Sequence, residues 1–202
     1  MKNLMKKVKE LILVIAGLVL IVPACTNLDE ELYSDLDAAS FFKSEDEYIS
    51  ALGAAYANFT AMGSHSNVWS TNELSSDELV VPTRGGDWYD GGVLLQVHQH
   101  TYTPDNGFVT NAWNTLYAGV NTCNRLIYQF KDVAGSEAYI AVLRAIRAYW
   151  YYQLLDMFGN VPLSIDFEVT EALANSTRQQ VYSFVESELN AVIPVLPTVR
   201  DA

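Results

Sequence analysis

Four stretches of the chain carry apolar residues at steps of three and four, the spacing that gathers them on one face of an α-helix. The first opens on Ser44-Glu45-Asp46-Glu47, a Ser-x-x-Glu capping box, and continues through Tyr48, Ile49, Leu52, Ala55, Tyr56, Phe59 and Met62. Its acidic first turn suits the positive end of the helix dipole. The second follows the turn Pro104-Asp105-Asn106-Gly107 and places Trp113, Leu116, Tyr117, Val120, Cys123 and Ile127 together. The third runs from Ser136 to Phe158 through Tyr139, Val142, Leu143, Ile146, Tyr149, Trp150, Leu154 and Met157. Gly159 suits the positive-φ position past its last turn, and Pro162 prevents continuation. The fourth opens on the capping-box spacing Thr177-x-x-Gln180, carries Val181, Phe184, Val185, Leu189, Val192 and Ile193, and stops at Pro194.

The link around Asp132–Gly135 is short, so the second and third helices are expected to be antiparallel neighbours. Aromatic residues in helical register with Ala54, Ala55, Ala145 and Ala148 resemble tetratricopeptide packing, although the 34-residue pattern does not recur cleanly. Between Gly63 and Gly107 the periodicity disappears. A loop this long inside a compact domain calls for a function; one short helix is expected at Glu73–Leu79, and turn chemistry fills Gly85–Gly92. The expected fold is all-α, a tetratricopeptide-like helical array with one long irregular loop insertion.

Residues 1–24 differ in kind. Lys2, Lys6, Lys7 and Lys9 precede an apolar run from Leu11 to Val22, then Pro23-Ala24-Cys25. Twelve helical residues span about 18 Å, short of the roughly 30 Å hydrocarbon core, so the run reads as the hydrophobic region of a secretory signal. Val22-Pro23-Ala24-Cys25 resembles a bacterial lipobox, which makes Cys25 the lipidation site; ordinary signal cleavage near Ala24 is the alternative. Asp29-Glu30-Glu31 follow as an acidic tether. The expected organisation is a lipoprotein signal peptide at 1–24, a tether at 25–43 and a helical domain at 44–202.

Charge narrows the function. The net charge is −12, and residues 25–202 alone carry 8 Lys+Arg against 23 Asp+Glu, a net of −15. Nucleic acid is excluded as a partner, because phosphate binding needs clustered cations. Two cysteines, Cys25 and Cys123, make neither a disulfide framework nor a zinc site by themselves, and Cys123 reads as inert core.

Several features in order resemble the SusD/RagB family of outer-membrane nutrient-binding lipoproteins. They are the lipobox and acidic tether, Leu28-Asp29, and Phe42 before a helix carrying Ala54-Ala55-Tyr56. Ser76-Asp77-Glu78 and Trp113 with Leu116-Tyr117 follow, then Asn121-x-x-Asn124. The most specific block is Arg144-Ala145 leading to Phe158-Gly159-Asn160-Val161-Pro162-Leu163. The resemblance implies a cell-surface, outer-membrane lipoprotein that captures oligosaccharides for a SusC-like TonB-dependent transporter and performs no chemistry. It also implies a longer protein, so the chain is expected to be an N-terminal portion lacking the family's C-terminal half. The alternative is a helical scaffold that docks on the transporter without binding glycan. No cofactor is expected.

Sugars present apolar ring faces and polar edges, so their sites need exposed aromatic planes beside polar side chains. Arg84, Asp87, Trp88 and Tyr89 offer that composition on a glycine-flanked loop, with Trp88 and Tyr89 as platforms and Arg84 and Asp87 as edge partners. The competing expectation is that Trp88 and Tyr89 are buried anchors. His98-Gln99-His100 would put two imidazoles on one face of a strand, but too few ligands lie near for a metal site. Asp87-x-x-Asp90 is too sparse for a calcium loop, and Glu73 with Asp77 on one helix face reads as a solvated surface before a glycosidase pair. Tyr149-Trp150-Tyr151-Tyr152 encircle a helix, so some of these rings are expected to face outward.

Overall fold

The computed structural model describes residues 44–196 and the isolated positions 5 and 7. The signal segment, Cys25, the acidic run 29–31 and Phe42 therefore lie outside the described residues. Residues 44–196 fall within one unit, Asp37–Ala202.

All four expected helices form. Helix α1 spans Glu45–Met62, and its capping box closes with the Ser44 N–H donating to Glu47 Oε2 at 2.9 Å. Two short helices follow, α2 (Val68–Ser75) and α3 (Val93–His98), then the long α4 (Gly107–Phe130) and α5 (Glu137–Phe158). A two-residue antiparallel ladder pairs β1 (Val161–Pro162) with β2 (Asn175–Ser176) ahead of α6 (Arg178–Val192). Thr177 starts α6 as expected: Thr177 Oγ1 accepts from the Gln180 N–H at 3.3 Å, and Gln180 Oε1 accepts from the Thr177 N–H at 2.8 Å.

Helix α5 is the centre of the array. Leu143, Ala148, Trp150, Tyr151 and Leu154 are fully enclosed, which requires neighbours on more than one side: α4 and α1 on one, α6 on the other. The α1 interface is aromatic. Tyr48 stacks on Tyr139 with centroids 4.6 Å apart, and Phe59 stacks on Trp150 at 4.5 Å. Trp150 also lies against α4 where Gly119 leaves room, since a Cβ there would sit 2.6 Å from its ring atoms Cδ2 and Nε1.

The apolar stripe read for α1 is wider than the face it buries. Tyr48, Leu52 and Ala55 are enclosed, whereas Ile49 and Tyr56 are exposed, because α1 flanks the array and packs on one side only. Ile193 is likewise exposed, in a 3₁₀ turn that closes α6 around Pro194.

The segment between α1 and α4 has its own small core of Leu74, Leu94, Val97 and Phe108. Its first helix, expected at Glu73–Leu79, lies at Val68–Ser75 instead. Asn67 starts it, accepting from the Val68 N–H at 2.9 Å and donating to Thr115 Oγ1 at 2.7 Å, and Ser76 turns extended to end it.

Candidate functional site

Arg84, Asp87, Trp88 and Tyr89 come together on one tight hairpin. Arg84 and Asp87 exchange backbone hydrogen bonds, each 3.1 Å, across the turn Gly85-Gly86. Gly85 supplies the positive φ of 66° that a two-residue turn demands. The chain then passes through Trp88 at φ 57° and Asp90 at φ 44°, a left-handed conformation that costs a bulky side chain free energy. Neither ring is a buried anchor: Trp88 is 46% exposed and Tyr89 51%. Trp88 meets the His65 imidazole edge-on at 5.3 Å, and the Tyr89 carbonyl accepts from the Gly92 N–H at 2.6 Å. Two aromatic faces and two charged side chains are thus displayed on a hairpin held by its own backbone.

The other constellations separate. His98 ends α3 and His100 lies beyond it at φ 55°, so the expected strand, and with it the shared imidazole face, is replaced by a helix terminus. Among the described residues no cluster of three or more His, Cys, Asp or Glu is placed to hold a metal. Glu73 lies in the last turn of α2 and Asp77 beyond its end, so the two carboxylates do not share a helix face. Burial pushes the Cys123 thiol up to about 12 against the opposing pull of Arg147, which makes it a poor nucleophile at neutral pH.

The Arg144…Phe158-Gly159-Asn160-Val161-Pro162-Leu163 block is architectural. Gly159 turns the chain at φ 73°, and Asn160 Oδ1 accepts from the Arg178 N–H at 2.8 Å, tying the end of α5 to the start of α6. Carbonyls of the following strap are then taken by side chains. Tyr117 donates to the Pro162 carbonyl at 2.9 Å, Tyr151 and Asn124 to that of Ser164 at 2.8 and 2.7 Å, and Arg147 to that of Ile165 at 3.1 Å. Arg147 also bonds Asn124 Oδ1 and Glu188 Oε2, both at 2.8 Å, while Arg144 reaches Glu188 Oε1 at 2.7 Å. Burial alone would raise the Glu188 carboxyl, yet the two guanidinium groups prevail and hold it below its ordinary range. Burial also drives the Tyr117 and Tyr151 phenols well above theirs.

A site that periodicity did not indicate lies where α4 begins and α5 ends. Tyr102, Pro104, Val109, Trp113 and Phe158 line an open cleft of about 430 Å³. A second hollow of about 230 Å³ shares Tyr102, Val109 and Phe158 and adds Thr71, Asn72, Ser75 and Asp156. The helical spacing places Trp113 on a packed face. It is half-buried, edge-on to Phe158 at 5.1 Å, and forms cleft wall as well as core. The available signal is Tyr102 two residues before Pro104, ahead of a helix start, an aromatic in a turn and not in a stripe.

This architecture matches known proteins. The family model described as SusD-like, starch-binding associating with outer membrane, matches residues 27–201. SusD-like protein P2 of Formosa agariphila is 27% identical, over 97% of this chain and 39% of its own length. Among solved structures, a laminarin-binding SusD-like protein superposes with a TM-score of 0.70 at 27% identity, covering 79% of this chain and 36% of that one. A SusD superfamily protein from Bacteroides vulgatus superposes at 0.65 with 17% identity, covering 80% and 36%. The chain therefore spans less than two-fifths of these relatives' lengths, and through the match over residues 27–201 it belongs to the SusD-like family.

Proposed function

We propose that this chain binds carbohydrate at the cell surface without altering it, and that the Arg84–Tyr89 hairpin is a contact site. The observation that carries the reading is the display of Trp88 and Tyr89, each about half exposed, on a hairpin whose backbone is already fixed. Aromatic faces pack on the C–H faces of a pyranose, while a guanidinium donates to and a carboxylate accepts from its hydroxyls. Arg84 and Asp87 supply that pair. Left-handed backbone at Trp88 supports the reading, since such conformations concentrate at ligand sites. The laminarin-binding relative makes β-glucan the first probe.

The test is electrophoresis in native gels containing laminarin or starch. Wild-type protein is expected to be retarded, and Trp88→Ala to lose at least tenfold in affinity, the scale of one stacked aromatic. Unchanged retention of Trp88→Ala would remove the hairpin from the site.

The same reading places Cys25 as an acylated anchor in the outer membrane and a SusC-like TonB-dependent transporter as the recipient of the sugar. An acyl chain contributes about 0.8 kcal/mol per buried methylene, so more than one chain makes a durable attachment. Metabolic labelling with an alkynyl fatty acid is expected to mark the wild type and not Cys25→Ala. Labelling of both would exclude that anchor. A docking scaffold with no glycan of its own is the second reading, favoured by the exposed rings of Tyr149, Tyr152 and Tyr182. It gains if the protein co-purifies with a transporter yet migrates unretarded in every glycan gel.

A further inference from the structure

We propose that the cleft between the Tyr102–Gly107 turn and the end of α5 is a second carbohydrate subsite, one that takes a pyranose ring of a glycan chain. This rests on the carbohydrate reading above and adds to it a place outside the hairpin, since no residue of Arg84–Tyr89 lines it.

The cleft has the two-sided chemistry that a sugar requires. Its wider part, about 430 Å³, is within the roughly 300–1,000 Å³ of small-molecule sites and is walled by the rings of Tyr102, Trp113 and Phe158. The adjoining hollow of about 230 Å³ has a mixed lining, in which Asn72, Ser75 and Asp156 stand beside Tyr102, Val109 and Phe158. The Asn72 and Asp156 side chains are both exposed. An amide offers donors and an acceptor and a carboxylate accepts strongly, the complement of a ring of hydroxyls.

The wall is also set in advance. Asn106 donates to the Val93 carbonyl and to Gln96 Oε1, each at 3.1 Å, and accepts from the Phe108 N–H at 3.0 Å. The Asn106 N–H donates to the Thr103 carbonyl at 3.0 Å, and Thr110 Oγ1 donates to the Pro104 carbonyl at 2.9 Å. The turn that carries Tyr102, itself 42% exposed, is therefore ordered without ligand, and binding loses little to ordering it. Trp113 and Phe158 are braced edge-to-face.

The experiment measures affinity for laminarihexaose and maltohexaose by calorimetry, for wild type, Tyr102→Ala, Asp156→Asn, Trp88→Ala and the Tyr102→Ala/Trp88→Ala double variant. Tyr102→Ala is expected to weaken binding about tenfold and Asp156→Asn several-fold, with the double variant losing the product of the two aromatic losses. If Tyr102→Ala melts early by circular dichroism, Asp156→Asn and Tyr102→Phe decide, being a surface change and a ring-preserving change. Wild-type affinity in Tyr102→Ala and Asp156→Asn, with loss in Trp88→Ala, overturns the second subsite and leaves the hairpin reading intact. No binding by wild type to any glycan overturns both. A sedimentation shift in Tyr102→Ala with unchanged glycan affinity overturns the sugar assignment and makes the cleft a contact between copies.

Discussion

At the scale of single residues, two glycines in helix interiors respond oppositely to the same added methyl group. Gly53 in α1 has open space where a Cβ would stand, so Gly53→Ala gains helix propensity and is expected to stabilise by about 0.5–1 kcal/mol. Gly119 in α4 lies under the Trp150 ring, with no room to move an enclosed indole. Overpacking outweighs the propensity gain there, and Gly119→Ala is expected to destabilise by about 2–3 kcal/mol. Urea denaturation midpoints of the two variants should move in opposite directions. Glu188 makes a second prediction at this scale. Its carboxyl is held below its ordinary value of 4.5, so its stabilising contribution is complete above that pH and is lost as pH falls through the lower folded value. Thermal midpoints should drop more steeply below pH 4.5 in wild type than in Glu188→Gln, which has no carboxyl to protonate. Parallel curves would exclude the Arg144–Glu188–Arg147 cluster as the acid-sensitive group.

Among elements, the strap after α5 poses the sharpest question, because the carbonyls of Pro162, Ser164 and Ile165 accept from side chains of α4 and α5. Tyr117 and Asn124 are seven residues apart on α4, and Arg147 and Tyr151 four apart on α5, so each pair shares a helical face. Asn124 is the pivot: it donates to Ser164 and accepts from Arg147. Asn124→Ala removes both bonds and leaves a buried guanidinium arm short of a partner, at an expected cost of about 2–4 kcal/mol. Hydrogen exchange by mass spectrometry should show the strap at 162–166 opening before the α4–α5 pair. Simultaneous loss across both helices would mean that the strap and the pair unfold as one.

This contrast explains what was legible in the sequence. The four long helices were readable because each announces itself locally, through caps such as Ser44 and Thr177 and through apolar period. The hairpin residues were readable as a set because Gly85-Gly86 forces a turn and the aromatics adjoin it. The polar stitching of the strap was not, since Asn124 and Arg147 look like ordinary polar interruptions of an apolar face until the helices are brought together. The short helices failed for a related reason. The Asn67 cap and the small core of Leu74, Leu94, Val97 and Phe108 decide where α2 lies, and both draw on residues distant in the chain.

For the molecule as a whole, the described surface sets aromatic rings against a strongly acidic charge. Tyr56, Tyr149, Tyr152 and Tyr182 are all exposed, on three different helices, and Tyr149 contacts both Phe59 and Tyr152. An apolar surface of this kind drives association and dye binding, whereas a net charge of −12 opposes it by repulsion between like-charged copies. Salt decides between them. Raising ionic strength from about 0.05 M to roughly 0.5 M shortens the Debye length from over 10 Å to under 5 Å and removes most of the repulsion, leaving apolar contact in place. Sedimentation velocity is therefore expected to show association that grows with salt and with protein concentration, and Tyr149→Ser/Tyr152→Ser should suppress it together with binding of a hydrophobic dye. Association that dissolves as salt rises would instead assign the contact to charge pairs. That outcome would make these rings ordinary surface residues and take away the main support for the docking-scaffold reading.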